Sequence, residues 1–309
     1  LYLYVMQLKK FGIRPQAILD TGPPLSLRTS LLGLRALITC PQAMFQGMRW
    51  LWGAGVKTNM TRGVDSLKAQ GGDHLSSVSY EARGRRHELS TSLLLVHDGV
   101  IPNTWLSMSA GIKHHFNETQ NCWVPEIQGA GLTSRDGISI VGDAAGIGGA
   151  EVAMLQGERV AREVDAYLED HQHPQTSIES GVLRRQRWMR SFIDEAFPST
   201  AQFQSPENDI VVCRCEEVTA GEIRQVTERG CMGPNQGKAF TRCGMGPCMG
   251  RKCGLTVSRL MAQVRGVSVQ EVGHYRIRSP IRPITVGQLA DMESILKGDN
   301  QSVLSANSS

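Results

Sequence analysis

Six of the chain's eight cysteines fall between Asp209 and Gly254, five of them in two short runs. Cys213 and Cys215 sit one residue apart in the run Val-Cys-Arg-Cys-Glu-Glu, Val212 to Glu217. Cys243, Cys248 and Cys253 fall in a glycine-rich run from Thr241 to Gly254. Cys213/Cys215 and Cys248/Cys253 form two close pairs, with 32 residues between them and four inside the second pair. Four thiolates from two loops can hold zinc or an iron–sulfur cluster. Structural zinc commonly uses cysteines about two to four residues apart, so a single intervening residue is an awkward zinc pair. A two-iron cluster divides its ligands between two metals, so each close pair can serve one iron. Gly244, Gly246, Gly250 and Gly254 leave backbone N–H groups free to approach sulfur. Arg214, Arg242, Arg251 and Lys252 would offset the negative charge of such a centre. On the residues alone a cluster is favoured and zinc stays open.

The elements around these loops are short. Thr219-Ala-Gly-Glu222 is a capping box that starts a helix ending at Gly230, and Ser268-Val-Gln-Glu271 is a second. The region therefore reads as a small helical module with cysteine loops at its ends. From Asp209 to Arg282 it carries 12 Lys/Arg against 6 Asp/Glu. These basic residues are scattered and aromatics are few, which argues against nucleic acid as a partner.

At 309 residues the chain has room for about two domains. Its 40% hydrophobic and 20% charged content is that of a globular protein. No apolar run approaches the roughly 20 residues of a membrane span, and the opening Leu1–Met6 is too short for a signal peptide. The expected compartment is a reducing cytosol, with at most peripheral attachment to a membrane. There, clustered cysteines favour metal or redox chemistry over disulfides.

The first residue is Leu, and residues 1–12 read as a helix ending at Gly12. Gln16 to Thr21 reads as a strand with an acid near its end. Helix then strand is the second half of a nucleotide-binding βαβ unit, so the chain is expected to lack its N-terminus. Residues 25–52 read as a helical excursion. Residues 55–70 read as two strands, and a hairpin turns at Gly84. Ser92–Val96 reads as a buried strand, as does the run into Gly142-Asp143. A helix follows from about Ala150. His171 to Ser177 and Pro198 to Asp209 read as linkers around a basic amphipathic helix. His114-His115 is assigned to a turn and His171-x-His173 to a solvated linker. The tail after Lys297 reads as disordered.

Gly142-Asp143 and the small residues after it suit a dinucleotide, because glycines admit a pyrophosphate to the amides at a helix start. An ordinary strand–turn–helix joint would look the same. The stretch resembles the second flavin motif of two-dinucleotide-domain flavoproteins. That resemblance implies FAD held by Gly142, Asp143 and the amides near Gly149 and Ala150. Gly99, Pro102 and Asn103 are similar to that superfamily's crossover between domains. Its first glycine-rich motif is absent. No Cys-x-x-Cys pair lies in this half, which argues against disulfide-reductase activity.

The cysteine module resembles the bacterioferritin-associated ferredoxin type of [2Fe–2S] domain. The match runs through Cys213, Cys215, Glu216, Thr241, Arg242, Gly244, Met245, Gly246, Cys248, Gly250 and Cys253. It implies Cys213, Cys215, Cys248 and Cys253 as ligands. Cys243 falls at a variable position and Cys231 outside the pattern, so both are left out. Cys40 and Cys122 read as ordinary buried residues. The two halves together resemble the flavin/iron–sulfur subunit of the opine oxidase, D-hydroxyproline dehydrogenase and hydrogen cyanide synthase group. The resemblance implies an α/β, Rossmann-like partial flavoprotein followed by a small helical [2Fe–2S] domain. The expected divisions are a nucleotide-binding (NAD-type) remnant over 1–100 and the C-terminal part of an FAD domain over 101–172. A helical linker follows over 173–208, the cluster domain over 209–285 and a tail over 286–309. The implied partner is a substrate-oxidising flavoprotein subunit. Electrons would leave to a small ferredoxin-like subunit or a quinone, and the fragment would be inactive alone. A different reading keeps the module as a non-catalytic metal-binding interaction domain, with zinc or a cluster, on a degenerate nucleotide-binding fold.

Overall fold

The computed structural model describes residues 1–129, 131–170, 181–199 and 201–292. The chain is α/β and divides into two compact units. One comprises Leu1–Ser107 and Gly111–Glu207; the other runs from Asn208 onward and takes in Met108–Ala110.

The first unit opens with α1 (Tyr2–Lys10) and β1 (Ala17–Asp20). Ser26 caps α2 (Leu27–Thr39) by accepting from the Thr29 amide at 3.0 Å. Pro41 occupies the first turn of α3 (Pro41–Gly55), where a missing N–H costs nothing. Lys9 donates to the carbonyls of Gly53, Ala54 and Val56 at 3.1, 2.6 and 2.6 Å, placing a cation on the C-terminal end of α3. β2 (Asn59–Arg62) pairs with β1 in parallel, Ala17 opposite Asn59. β3 (Val64–Gly71), β4 (Leu75–Ala82) and β5 (Arg85–Ser90) form an antiparallel sheet, and the tight turn at Arg83-Gly84 takes left-handed φ of 52° and 70°. α4 (Trp105–Ser109) is followed by the hairpin of β6 (His114–Asn117) and β7 (Cys122–Pro125). The 21-residue α5 (Ala150–Asp170) and the basic α6 (Gly181–Ala196) follow. α6 packs on α2, where the Phe192 ring would stand 3.1 Å from a Cβ at Gly33 and Arg35 stacks on Trp188.

Four expectations are corrected. Ser92–Val96 is not a strand: Leu93, Leu95 and Val96 are exposed, with no sheet neighbour among the described residues. The approach to Gly142 is irregular, paired among the described residues only by the isolated bridge Leu132–Ser139, and Ile138 is exposed. An apolar run becomes a strand only where a partner edge receives its N–H and C=O groups. The His114-His115 pair lies on β6 rather than in a turn. Pro198–Asp209, read as a linker, contains a helical turn, α7 (Ala201–Gln204). The His171–Ser177 linker and the tail after Lys297 lie outside the described residues.

Asp20, at the end of β1, is buried and engaged on three sides. Tyr2 donates its hydroxyl to one carboxylate oxygen, Arg62 lies 3.3 Å from the same oxygen, and the Gly22 amide donates to the other at 2.8 Å. Burial first, and then the Asp20 carboxylate, pushes the Tyr2 phenol well above its ordinary value.

The second unit holds β8 (Val211–Cys213), β9 (Val218–Thr219), α8 (Ala220–Glu228), α9 (Pro234–Thr241), α10 (Gly254–Arg265), α11 (Val269–Val272) and α12 (Val286–Ala290). The capping box at Thr219 and Glu222 is formed on both sides. At Ser268 half of it is: the serine caps α11, while Glu271 pairs with Arg265 at 3.2 Å. Thr285 and Gln288 box the start of α12, inside the stretch expected to be tail. Leu260 and Met261 of α10 are fully buried in the unit's core, against Ile223 and Val257.

All five tryptophans precede residue 207, so their fluorescence reports on the first unit. Arg62→Ala strands the buried Asp20 carboxylate and is expected to cost about 3–5 kcal/mol in urea unfolding followed this way. Lys68→Ala removes an exposed ion pair with Glu207 and is expected to cost no more than ~1 kcal/mol. Equal losses would contradict this picture. Tyr2 stays protonated in the folded unit, whereas the unfolded chain ionises near pH 10. Its contribution is therefore full below pH 10 and is lost as pH rises above it; Tyr2→Phe should flatten that alkaline fall in the unfolding midpoint.

Candidate metal centre

The two cysteine loops interlock because glycine lets them. A Cβ built on Gly246 would lie 2.2 Å from the Cβ of Cys215 and 3.3 Å from its sulfur. The second loop thus passes over the first at a distance no other residue permits. Arg242 ends α9 in the left-handed region at φ 60° and reaches back to Glu216 at 2.9 Å. On the opposite side Tyr275 fills the space that side chains at Gly244 and Gly250 would occupy, with ring atoms 2.6 and 2.9 Å from their virtual Cβ atoms. Both glycines have positive φ, 85° and 84°. The Tyr275 hydroxyl donates to the Cys243 carbonyl at 2.9 Å.

Folding brings five sulfurs together as a trio and a pair. Cys213 from β8, Cys253 at the start of α10 and Cys243 place their sulfurs within 4.8 Å of one another, and all three are buried. Cys215 is exposed and its thiol is in hydrogen-bond contact with that of Cys248. The expected ligands therefore meet across the loops, Cys213 with Cys253 and Cys215 with Cys248, rather than within each sequence pair. Cys243, left out on sequence, joins the trio. A cysteine between the helix-ending Thr241-Arg242 and the first glycine of a sulfur-bearing loop is the signal that identifies it. Cys231 is buried in the same core without joining the trio, and burial raises its thiol. Cys40 and Cys122 are buried in the other unit.

Burial pushes the Cys248 thiol up. Amides of Lys252, Gly250 and Arg251, with the Cys215 side chain, outweigh it and hold the thiol below its ordinary value. Hydrogen bonds from Cys253 first, and then from Tyr275 and Cys213, outweigh burial at Cys243 and draw it to about 7. The hydrogen bond with Cys243, then burial and the neighbouring sulfurs, push Cys253 up. A group of thiols sharing protons at such distances is one that a metal would relieve by displacing them. The donor set fits a thiolate-bound metal or cluster: five sulfurs, amides aimed at one of them, and no carboxylate or histidine in the trio.

In the other unit, Gly142 opens a 3-10 turn at φ 66°, and its amide donates to Gln156 at 2.9 Å. Asp143 is exposed. One of its oxygens accepts from the amides of Gly148 and Gly149, each at 3.1 Å. Ala150 begins α5 directly after Gly149, whose φ is 96°. Gln120 clips the same turn through both the N–H and the C=O of Ile147, at 3.1 and 2.9 Å. The turn is a closed loop on a helix N-terminus.

Residues 209–292 match the family described as the sarcosine oxidase A3 domain. The chain is 36% identical over 305 residues to an opine oxidase subunit of Rhizobium meliloti (strain 1021), covering 94% of this chain and 64% of that protein. It is 35% identical to the corresponding opine oxidase subunit of Agrobacterium tumefaciens (strain Ach5), covering 94% and 59%. It is also 28% identical to the hydrogen cyanide synthase subunit HcnB of Pseudomonas protegens, covering 90% and 67%. The chain thus spans less than two thirds of the length of the opine oxidase subunits it matches. A solved L-proline dehydrogenase from P. horikoshii superposes with a TM-score of 0.58 at 18% identity, over 91% of this chain and 51% of that one; the two share a fold. No helix among the described residues is long and apolar enough to cross a membrane.

Gly246→Ala is expected to part the two loops, because the new methyl meets a Cβ fixed to the backbone. Gly237→Ala, in α9 with its nearest neighbour 3.4 Å away at a methionine methyl, should be neutral or gain up to ~1 kcal/mol in helix propensity. Hydrogen exchange of the α10 amides separates the two: faster in the first variant and unchanged or slower in the second.

Proposed function

We propose that this chain is the electron-relaying subunit of a multi-subunit amine or imino-acid dehydrogenase. In this reading Cys213, Cys215, Cys248 and Cys253 hold a [2Fe–2S] cluster, and Gly142, Asp143, Gly149 and Ala150 hold FAD. The observation that carries it is the pairing of thiols across two interlocked loops, inside a unit whose described residues otherwise form short helices and one two-stranded pairing. Two cross-loop pairs suit two irons, one pair each. The similarity to opine oxidase and hydrogen cyanide synthase subunits supports an oxidoreductase subunit with partners. A flavin exchanges electrons in twos and a [2Fe–2S] centre singly, so together they convert one flow into the other.

The chain's own residues do the holding. The amides of Gly250, Arg251 and Lys252 would stabilise negative sulfur at Cys248, and buried Cys213 and Cys253 would keep their end dry. The N-terminal amides of α5 suit a pyrophosphate, and Asp143 offers an exposed carboxylate to sugar-alcohol hydroxyls. Oxidation of the substrate's C–N bond belongs to a partner flavoprotein subunit, and electrons leave to a ferredoxin-like subunit or a quinone. A cytosolic location fits these roles.

A second reading has one observation in its favour. Three sulfurs mutually within 4.8 Å suit a single zinc ion, with a structural module in place of an electron relay. Spectra separate the two. The cluster reading expects a brown chain, with visible absorption bleached by dithionite and a rhombic EPR signal when reduced. It also expects Cys248→Ser to abolish the chromophore. Colourless protein with one zinc per chain would rule it out.

A further inference from the structure

The five sulfurs are unevenly shared. At the buried end, Cys213 and Cys253 have a third thiol beside them: Cys243 is 1% exposed and its sulfur lies within 4.8 Å of both. At the exposed end, Cys215 and Cys248 have only each other, and among the described residues no further group of three metal-ligating side chains comes together. Cys231, the remaining cysteine of this unit, is buried in the same core but is not one of the three grouped sulfurs. Glu216 is close to the second loop but is tied to Arg242 at 2.9 Å.

We propose that Cys243 is a reserve ligand of the metal centre, able to replace Cys213 or Cys253 at the buried end, with no counterpart at the exposed end. This rests on the reading of the four paired cysteines as a cluster site. The geometry favours exchange on three counts. A thiol this near needs only side-chain rotation and a small loop shift to reach the position its neighbour vacates. The Tyr275 hydroxyl bond to the Cys243 carbonyl keeps that loop seated while the side chain turns. Finally, Cys243 would bind as a thiolate. It gives its proton to water as the iron–sulfur bond forms, so the centre keeps four thiolates and the same charge.

The consequence is an asymmetry that sequence spacing does not suggest. Substitutions at the two ends should have unlike effects. The test uses the full chain and reads iron and acid-labile sulfide per chain, with visible circular dichroism for the ligand environment. Cys253→Ser is expected to keep about half or more of the wild-type iron and sulfide, with an altered dichroism spectrum. Cys248→Ser and Cys215→Ser should fall below about a tenth. Cys243→Ser should match wild type in iron, and Cys243→Ser/Cys253→Ser should lose it. Because Cys253 begins α10 and its loss could unfold the unit, Cys213→Ser provides the same reading from β8, with folding checked by far-ultraviolet dichroism.

The outcomes are distinguishable. Wild-type chain without iron overturns the cluster reading and the inference with it. Wild type with iron, but Cys253→Ser and Cys213→Ser as empty as Cys248→Ser, overturns the reserve ligand alone. Iron retained in the double variant also overturns it, since some other group would then be the substitute.

Discussion

The second unit turns on a close approach. Gly246 lies over Cys215 so tightly that a methyl group at that position would stand 2.2 Å from the cysteine's Cβ, and that crossing lets thiols from opposite loops meet. Everything around it serves the crossing. The left-handed turn at Arg242 aims the second loop, Tyr275 occupies the room left by two more glycines, and α10 continues from Cys253 into the buried core. Backbone amides that would otherwise lie exposed find sulfur as their acceptor. The unit's hydrophobic core and its thiol cluster are one structure, since Cys213, Cys243 and Cys253 belong to the same buried set as Leu260 and Met261.

This explains what the sequence made readable. Caps are local, so the box at Thr219 and the serine cap at Ser268 were legible from four residues each. Alternation and turn residues revealed β3 to β5, and helical spacing revealed α5 and α6. Ser92–Val96 and the approach to Gly142 misled for a common reason: apolar continuity records a tendency to be covered, while a strand also needs an edge to pair with. Cys243 escaped because a spacing pattern counts residues along the chain, and the left-handed step at Arg242 that precedes it is a matter of backbone direction. The same limit hid the pairing. Sequence groups Cys213 with Cys215, but Cys213 ends β8 while Cys215 lies in the turn that follows it, so the two serve different partners.

The two ends of the sulfur group also differ in their surroundings. Three sulfurs lie in the core, whereas Cys215 faces solvent with Cys248 half-covered beside it. A low-dielectric interior sharpens every interaction of a charged sulfur, and water at the other end blunts it. Two irons placed across such a gradient would not be equivalent, so one would take up an added electron more readily than the other.

Asp20 illustrates a different economy. In a nucleotide-binding βαβ unit, an acid at the end of the strand that follows the helix is where the ribose would find its acceptor. Here Tyr2, Arg62 and the Gly22 amide already surround that carboxylate. It acts as a keystone joining α1, β1 and β2, and so is closed to visitors. A sugar hydroxyl could bind there only by evicting a buried phenol or breaking a buried ion pair. In this arrangement the first unit gives up a receptor to gain a joint.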